Sequence, residues 1–273
     1  MVTIAILQMN SDVDPAINLK VIEEAAIKAA NQGAKMLFTP EMSLLVDRDR
    51  KRAEKTLDNK AEKFLLSSLV DVSRRQNIWI TAGGPSLLKC GRFANRYWVF
   101  SPSKNVPVDH YDKIHMFDVD LSTGEKWKES SVYKAGSRVV SVERTPIGPL
   151  GLAICYDLRF PALFSRLGSL NCNAITIPSA FTVPTGKDHW HILLRARAIE
   201  ASSYVIAPAQ VGKHKDGRET FGHSLVVDPW GTIILELNGS NEELGFCDVD
   251  VARINDVRSQ LPSQHHDLQP SYN

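Results

Sequence analysis

Two periods of hydrophobicity alternate along the chain. Short apolar runs rich in β-branched residues, "VTIAILQ" (2–8) and "AKMLFTPE" (34–41), each give way to stretches of helical spacing near 15–32 and 59–76. Strands alternating with helices predict an α/β fold. The middle of the chain breaks this rhythm. "IWITAGG" (78–84), "RYWVFSP" (96–102) and "VPVDHYDK" (106–113) follow one another with too little between them for helices, which predicts consecutive antiparallel strands and therefore mixed sheets. Alternation resumes after an apolar run that begins at Gly151 and ends at Cys155. A helix from about Pro161, a strand over 174–181, a helix near 187–203 and a strand over 204–210 precede further apolar runs at 223–231 and 244–250.

The two halves share this rhythm without a residue-level repeat, and no Gly/Ser/Pro linker separates them. A single domain over residues 1–273, built of two similar halves, is the expectation, with the patternless tail 262–273 extended over the surface or a partner.

Composition narrows the partners. Hydrophobic residues make up 43% of the chain and charged ones 23%, an ordinary globule with ample core. Lys and Arg number 32 against 31 Asp and Glu, a formal charge of +1, and no basic block is present. Nucleic acid and membrane surfaces are therefore not expected partners. The N-terminus has neither a basic leader nor a cleavage site, so a cytoplasmic location is expected. Cys90, Cys155, Cys172 and Cys247 lie far apart with no C-x-x-C pair, which argues against a zinc site or a disulfide framework. Cys90, Cys172 and Cys247 read as packing residues.

Three apolar runs end in a reactive group: Glu41, Lys113 and Cys155. Open α/β sheets gather ligands beyond the carboxyl ends of their strands, so these groups can converge. A carboxylate can take the thiol proton, and an ammonium can lie against the oxyanion formed when sulfur attacks a carbonyl. "YDLRFP" after Cys155 suits a strained elbow opening a proline-led helix. Each residue also has a plain structural role: strand-end Glu and Lys are often solvated, and a buried Cys is often a small hydrophobe. A Cys-His pair is a rival arrangement, with His115, His189, His191 or His223 as partner, although the glycine-flanked papain signature is missing.

Taken in order, "AILQM", "FTPEM", "YDKIHMFDVD", "ICYDLRFP", "IPSAF", "HWHILLRARAIEASSYVIAPAQ" and "GHSLVVDPWG" resemble the nitrilase superfamily of carbon-nitrogen hydrolases across essentially the whole chain. The resemblance is narrowest to its Nit branch and, within it, to the deaminated glutathione amidases. It implies a four-layer α-β-β-α sandwich, a homodimer paired through helix faces with the C-terminal tail crossing the interface, and no metal or organic cofactor. It makes Glu41 the general base, Lys113 the stabiliser of the tetrahedral intermediate together with the Tyr156 backbone N–H, Cys155 the nucleophile, and Glu129 the residue that holds the lysine.

The implied substrate is a small amide with an oxo-acid half: deaminated glutathione, cut to 2-oxoglutarate and cysteinylglycine. An omega-amidase acting on 2-oxoglutaramate or succinamate and an N-carbamoyl amide hydrolase are the alternatives. Such a substrate needs a cation for its carboxylate. Arg159 is the first candidate, with an ion pair to Asp157 as its structural alternative. Lys187 and His189 could reach the leaving group from a loop. Arg195 and Arg197 lie in a helix whose face of Ile192, Leu193, Ala196 and Ile199 reads as core, so both read as structural. Segment 121–127, "LSTGEKW", departs from the Pro-Gly form usual in the branch. A catalytically silent binding protein on the same fold is the reading outside enzymes; a Cys155 labelled by iodoacetamide with a depressed pKa favours the enzyme, and one that reacts only after unfolding favours the binder.

Overall fold

In β1 (Val2–Gln8), Ile4 and Ile6 join one core cluster while Ala5 and Leu7 join another, so the first strand is buried on both faces. The computed structural model describes residues 1–120, 124 and 126–262. After β1 come α1 (Pro15–Asn31), β2 (Met36–Phe38), α2 (Arg50–Thr56), α3 (Asn59–Gln76), β3 (Trp79–Leu87), β4 (Phe93–Phe100), β5 (Asp109–Asp112) and the pair β6 (Asp118–Asp120) and β7 (Lys126–Lys128). The second half contains β8 (Val140–Thr145), β9 (Gly148–Leu152), α4 (Pro161–Ser169), β10 (Ala174–Thr176), α5 (Val183–Ala201), β11 (Tyr204–Ala207), β12 (Val211–Lys213), β13 (Glu219–Phe221), β14 (Leu225–Val227), β15 (Ile233–Glu236), β16 (Glu243–Val249) and α6 (Val251–Gln260).

Two six-stranded sheets, ordered β16-β1-β2-β3-β4-β5 and β15-β14-β11-β10-β9-β8, carry the architecture. Each has a parallel centre, β1-β2-β3 or β9-β10-β11, reached through helical crossovers, followed by antiparallel strands. Each also has an antiparallel strand on the other side of that centre, β16 in one and β8 in the other. The two halves are therefore alike in topology. Ala5, Leu37 and Ile80 pack with Ile22 and Ala26 of α1 and Leu69 of α3. Ile4, Ile6, Phe38 and Val99 share a cluster with Leu152 and Ile206 of the second sheet, and Leu163, Leu167, Leu194 and Ala198 of α4 and α5 belong to it too. The result is the expected four-layer α-β-β-α sandwich.

Helix limits follow local chemistry. Asp14 caps α1 by accepting from the Ala16 N–H, with Pro15 in the first turn, and Asp58 caps α3 in the same way before left-handed Asn77 ends it. Several strands are shorter than their apolar runs: 34–41 is a strand only to Phe38 and 151–155 only to Leu152. The residues beyond are buried because they line the site, and burial without pairing reads in sequence as strand.

The helix expected near 187 begins at Val183, with Pro184 in its first turn. Its core face is also rotated from the expected one. Trp190, Leu194, Ala198 and Ala201 are buried, whereas Ile192 and Ile199 are 69% and 49% exposed. The turn is fixed by Gly186, where a Cβ would stand 2.2 Å from the Phe221 ring, and by the Trp190 indole N–H donating to the His223 carbonyl at 2.8 Å. Arg195 and Arg197 do serve structure, donating to the carbonyls of Gly231 and Leu158. All four cysteines are unpaired; Cys172 is buried, but Cys90 is exposed on the β3-β4 connection and packs nothing. No helix among the described residues is long and apolar enough to cross a membrane.

Ile6 lies fully buried between the sheets. Ile6→Ala is expected to destabilise the fold by roughly 2–5 kcal/mol, read as a lower urea midpoint with an unchanged slope.

Candidate active site

Each of the three reactive groups stands just past a strand, on backbone that its neighbours fix. Beyond β2, the Thr39 hydroxyl bonds the Ser43 hydroxyl at 2.8 Å and Ser43 accepts from the Gly83 N–H at 2.9 Å, while Met42 takes a φ of 57°. Gln210, between β11 and β12, holds the Glu41 carbonyl at 2.9 Å. Lys113 follows β5, with its N–H on the Asn95 carbonyl and its own carbonyl on the Gly136 N–H. A Cβ at Gly136 would stand 2.1 Å from the Asp112 carbonyl oxygen, so glycine alone permits that approach. Cys155 opens a 3-10 turn, Cys155–Arg159, in the left-handed region at φ 48°, and its N–H donates to Pro178 at 3.0 Å. This is the strained elbow expected after the apolar run, held by a strand-end carbonyl.

The side chains meet in one buried knot. Lys113 Nζ lies 3.2 Å from Glu41 Oε1 and 2.8 Å from Glu129 Oε2, and the lysine is only 2% exposed. Asn95 Nδ2 donates to Glu41 Oε1 at 2.7 Å and to Glu129 Oε1 at 3.0 Å, tying the carboxylates together. The second Glu41 oxygen accepts from the Ala180 N–H at 2.8 Å, and Glu129 Oε2 accepts from the Phe117 N–H at 2.7 Å. Glu41, Lys113, Glu129, Cys155, Tyr156 and Arg159 all line one cleft.

Charge orders the protons. Burial alone would push the Lys113 pKa down, but the Glu129 and Glu41 carboxylates hold it well above its usual value, so the amine stays an ammonium. Burial, then the negative charge of Glu41, push the Cys155 thiol well up against the opposing pull of Lys113. Cys155 is therefore a thiol at rest, not the low-pKa thiolate taken above as the mark of the enzyme. With two carboxylates facing one ammonium, a third anion is disfavoured.

Asp157 explains how the lysine and thiol segments stay in register. Fully buried, it accepts from the Tyr111 hydroxyl at 2.7 Å and the Ile154 N–H at 2.9 Å on one oxygen, and from the His115 N–H at 3.0 Å and ring at 2.7 Å on the other. These donors flank Lys113 on one strand end and Cys155 on the other. Asp157 is thus fully engaged, and the Arg159-Asp157 ion pair does not form. Arg159 instead lies 5.8 Å over the Tyr156 ring and 5.5 Å over Phe181, with its fork donating to His189 Nδ1 at 3.2 and 3.3 Å. His115 is held by Asp157, and His191 and His223 share Glu236, so the histidines considered for a Cys-His pair are engaged elsewhere.

Lys187 and His189 belong to the first turns of α5 rather than to a loop, because Pro184 starts the helix early; Lys187 is exposed and lies outside the cleft lining. The sequence did not single out Asn95, and Asp157 stood there only as a partner for Arg159. A lone amide inside the apolar strand "FANRYWVF" was the available signal for Asn95. Of segment 121–127, only Gly124, Lys126 and Trp127 fall within the described residues, and tail residues 263–273 lie outside them.

The chain is similar to known proteins over nearly its whole length. The carbon-nitrogen hydrolase family model matches residues 3–259. The chain is 36% identical over 273 residues to a probable hydrolase, nit2, of Schizosaccharomyces pombe, covering 98% of each chain. It is 37% identical over 268 residues to a deaminated glutathione amidase of Synechocystis sp., covering 96% of each. It superposes on the crystal structure of the C. elegans NitFhit protein with a TM-score of 0.86 at 33% identity, over 97% of this chain and 64% of that longer one. The chain belongs to the carbon-nitrogen hydrolase family, the nitrilase superfamily, and is a hydrolase of non-peptide C–N bonds. Within the family it falls in the Nit branch.

Because Glu41 is a cause of the raised thiol pKa, Glu41→Gln is expected to lower it. In a pH titration of ultraviolet thiolate absorbance, the Cys155 midpoint should move to lower pH in Glu41→Gln, while C–N hydrolysis is lost. An unmoved midpoint would separate the carboxylate from the thiol.

Proposed function

We propose that the chain is a cysteine-dependent amidase that cuts deaminated glutathione to 2-oxoglutarate and cysteinylglycine. The observation that carries this reading is the meeting of a thiol, a carboxylate and a lysine ammonium in one buried pocket. The substrate follows from the relatives' amidase activity and from Arg159, which has no carboxylate partner among the described residues and stands against Tyr156, the neighbour of the nucleophile. A guanidinium in that position suits the oxo-acid carboxylate, which it can grip with two parallel hydrogen bonds.

As the Cys155 sulfur attacks the amide carbonyl, its proton passes to Glu41, so the thiolate never accumulates. The carbonyl oxygen becomes an oxyanion facing Lys113 Nζ and the Tyr156 N–H. Collapse breaks the C–N bond, and the departing amine takes the proton from Glu41. Water then gives a proton to Glu41 and attacks the thioester; the C–S bond breaks and the sulfur recovers that proton. Glu129 keeps the ammonium aimed throughout, and Asn95 ties Glu129 to Glu41 so that both carboxylates hold their places.

Ile192 and Ile199 stand two turns apart on one side of α5, both exposed, and a Cβ on Gly231 would stand 2.7 Å from Ile199 Cδ1, so α5 carries an apolar patch that reaches the turn of Gly231 and half-exposed Trp230. Such a patch suits a homodimer paired through α5. Light scattering should give twice the chain mass, and Ile192→Lys should lower it. The reducing cytoplasm suits a protein whose cysteines are all free.

With purified protein, cysteinylglycine release from deaminated glutathione should exceed ammonia release from 2-oxoglutaramate in kcat/KM. Cys155→Ala should abolish both, and Cys155→Ser should lose on the order of a thousandfold or more. A preference for 2-oxoglutaramate moves the assignment to an omega-amidase, and turnover that survives Cys155→Ala overturns the mechanism.

A further inference from the structure

The rim of the cleft carries a second cationic pole. Arg48 and Arg218 both lie against the Trp127 ring, with guanidinium carbons 4.3 and 5.5 Å from its centroid. All three residues line the same cleft as Cys155. The rim acids do not cancel this charge. Asp47 is taken by Arg52 at 2.6 and 2.7 Å, which leaves Glu219, while Lys128 adds a further cation. Among the rim guanidiniums, Arg50 pairs with Glu54 and Arg218 with Asp216, whereas Arg48 has no carboxylate partner among the described residues. Stacking on an indole orients a guanidinium edge-outward without using any of its N–H donors, which leaves the fork of Arg48 open for a bidentate partner.

Aromatic rings connect this pole to the nucleophile. Trp127 lies 6.3 Å from Phe117, Phe117 lies 5.1 Å from Tyr156, and Tyr156 follows Cys155. Tyr156 also meets Arg159 at 5.8 Å. The cleft therefore has two cationic poles joined through Tyr156, one at Arg159 and one at Arg48, Trp127 and Arg218. A substrate with a single carboxylate uses one of them.

We propose that Arg48, stacked on Trp127 and supported by Arg218, binds the carboxylate at the far end of the leaving group, so that the enzyme prefers amides charged on both sides of the scissile bond. This rests on the amidase reading and specifies its substrate class: an acyl half ending in a carboxylate at Arg159 and a peptide-like amine ending in a carboxylate at Arg48. A dipeptide leaving group extends roughly 7 Å beyond the scissile bond, toward the side of the cleft where Trp127 stands two ring contacts from Tyr156 and the long side chain of Arg48 covers it. The contact on the amine side thus comes from the segment before α2 and from β7, not from Lys187.

The test compares deaminated glutathione with the same molecule capped as its glycine amide, in the wild type and in Arg48→Gln, with 2-oxoglutaramate as reference. In the wild type the cap should lower kcat/KM about tenfold, chiefly through KM, the scale of one charge-assisted contact. Arg48→Gln should lower the ratio of kcat/KM for uncapped over capped peptide by the same factor, and Arg48→Lys should restore part of it. A cap without effect, or an equal loss on capped and uncapped peptides in Arg48→Gln, overturns the subsite. Failure of the deaminated glutathione reading looks different: 2-oxoglutaramate is hydrolysed and the peptide is not. The subsite is then read by calorimetry with cysteinylglycine as probe. Binding that weakens about tenfold in Arg48→Gln supports it, and binding that is absent or unchanged overturns it.

Discussion

A lysine ammonium sealed between two carboxylates is the constraint around which the molecule is arranged. Removing such a charge from water is tolerable only where opposite charge and hydrogen bonds replace the lost solvation completely. Lys113 meets that condition with Glu41 at 3.2 Å and Glu129 at 2.8 Å. The carboxylates in turn need Asn95, the Ala180 N–H and the Phe117 N–H. Those donors come from β4, from the loop before α5 and from the stretch after β5, so both sheets must be in place before the charges balance. Removing one partner would leave an uncompensated ion, which ties the integrity of the site to that of the fold.

The same balance sets the chemistry. One positive and two negative charges, together with burial, disfavour a resting thiolate, so Cys155 holds its proton. Asp157 works at one remove, joining the backbone beside Lys113 to the backbone beside Cys155 through Tyr111, His115 and Ile154.

Much of this was legible in the residues. The α1 and α3 limits follow from capping aspartates and apolar spacing, and the order of strands follows from alternating runs. Glu41, Lys113 and Cys155 stood out because each closes an apolar run with a group that such runs do not usually carry. Other features depend on contacts far apart in sequence. Nothing local tells that Asn95 faces two carboxylates, that Asp157 faces Tyr111 and His115 rather than Arg159, or that Phe221 rotates α5 and exposes Ile192. The short β6, β7, β12 and β13 pairs lack an apolar period because they frame the cleft and are half exposed.

The pairing of β16 with β1 carries a consequence for how the chain matures. Val2 lies opposite Val249, and Gln8 opposite Glu243, so β1 is synthesised about 240 residues before the strand that pairs with it. Until then its outer edge presents unpaired backbone groups beside an apolar face, and closing so long a loop is slow. Biosynthesis thus contains a long interval in which half of the sandwich exists without its final strand.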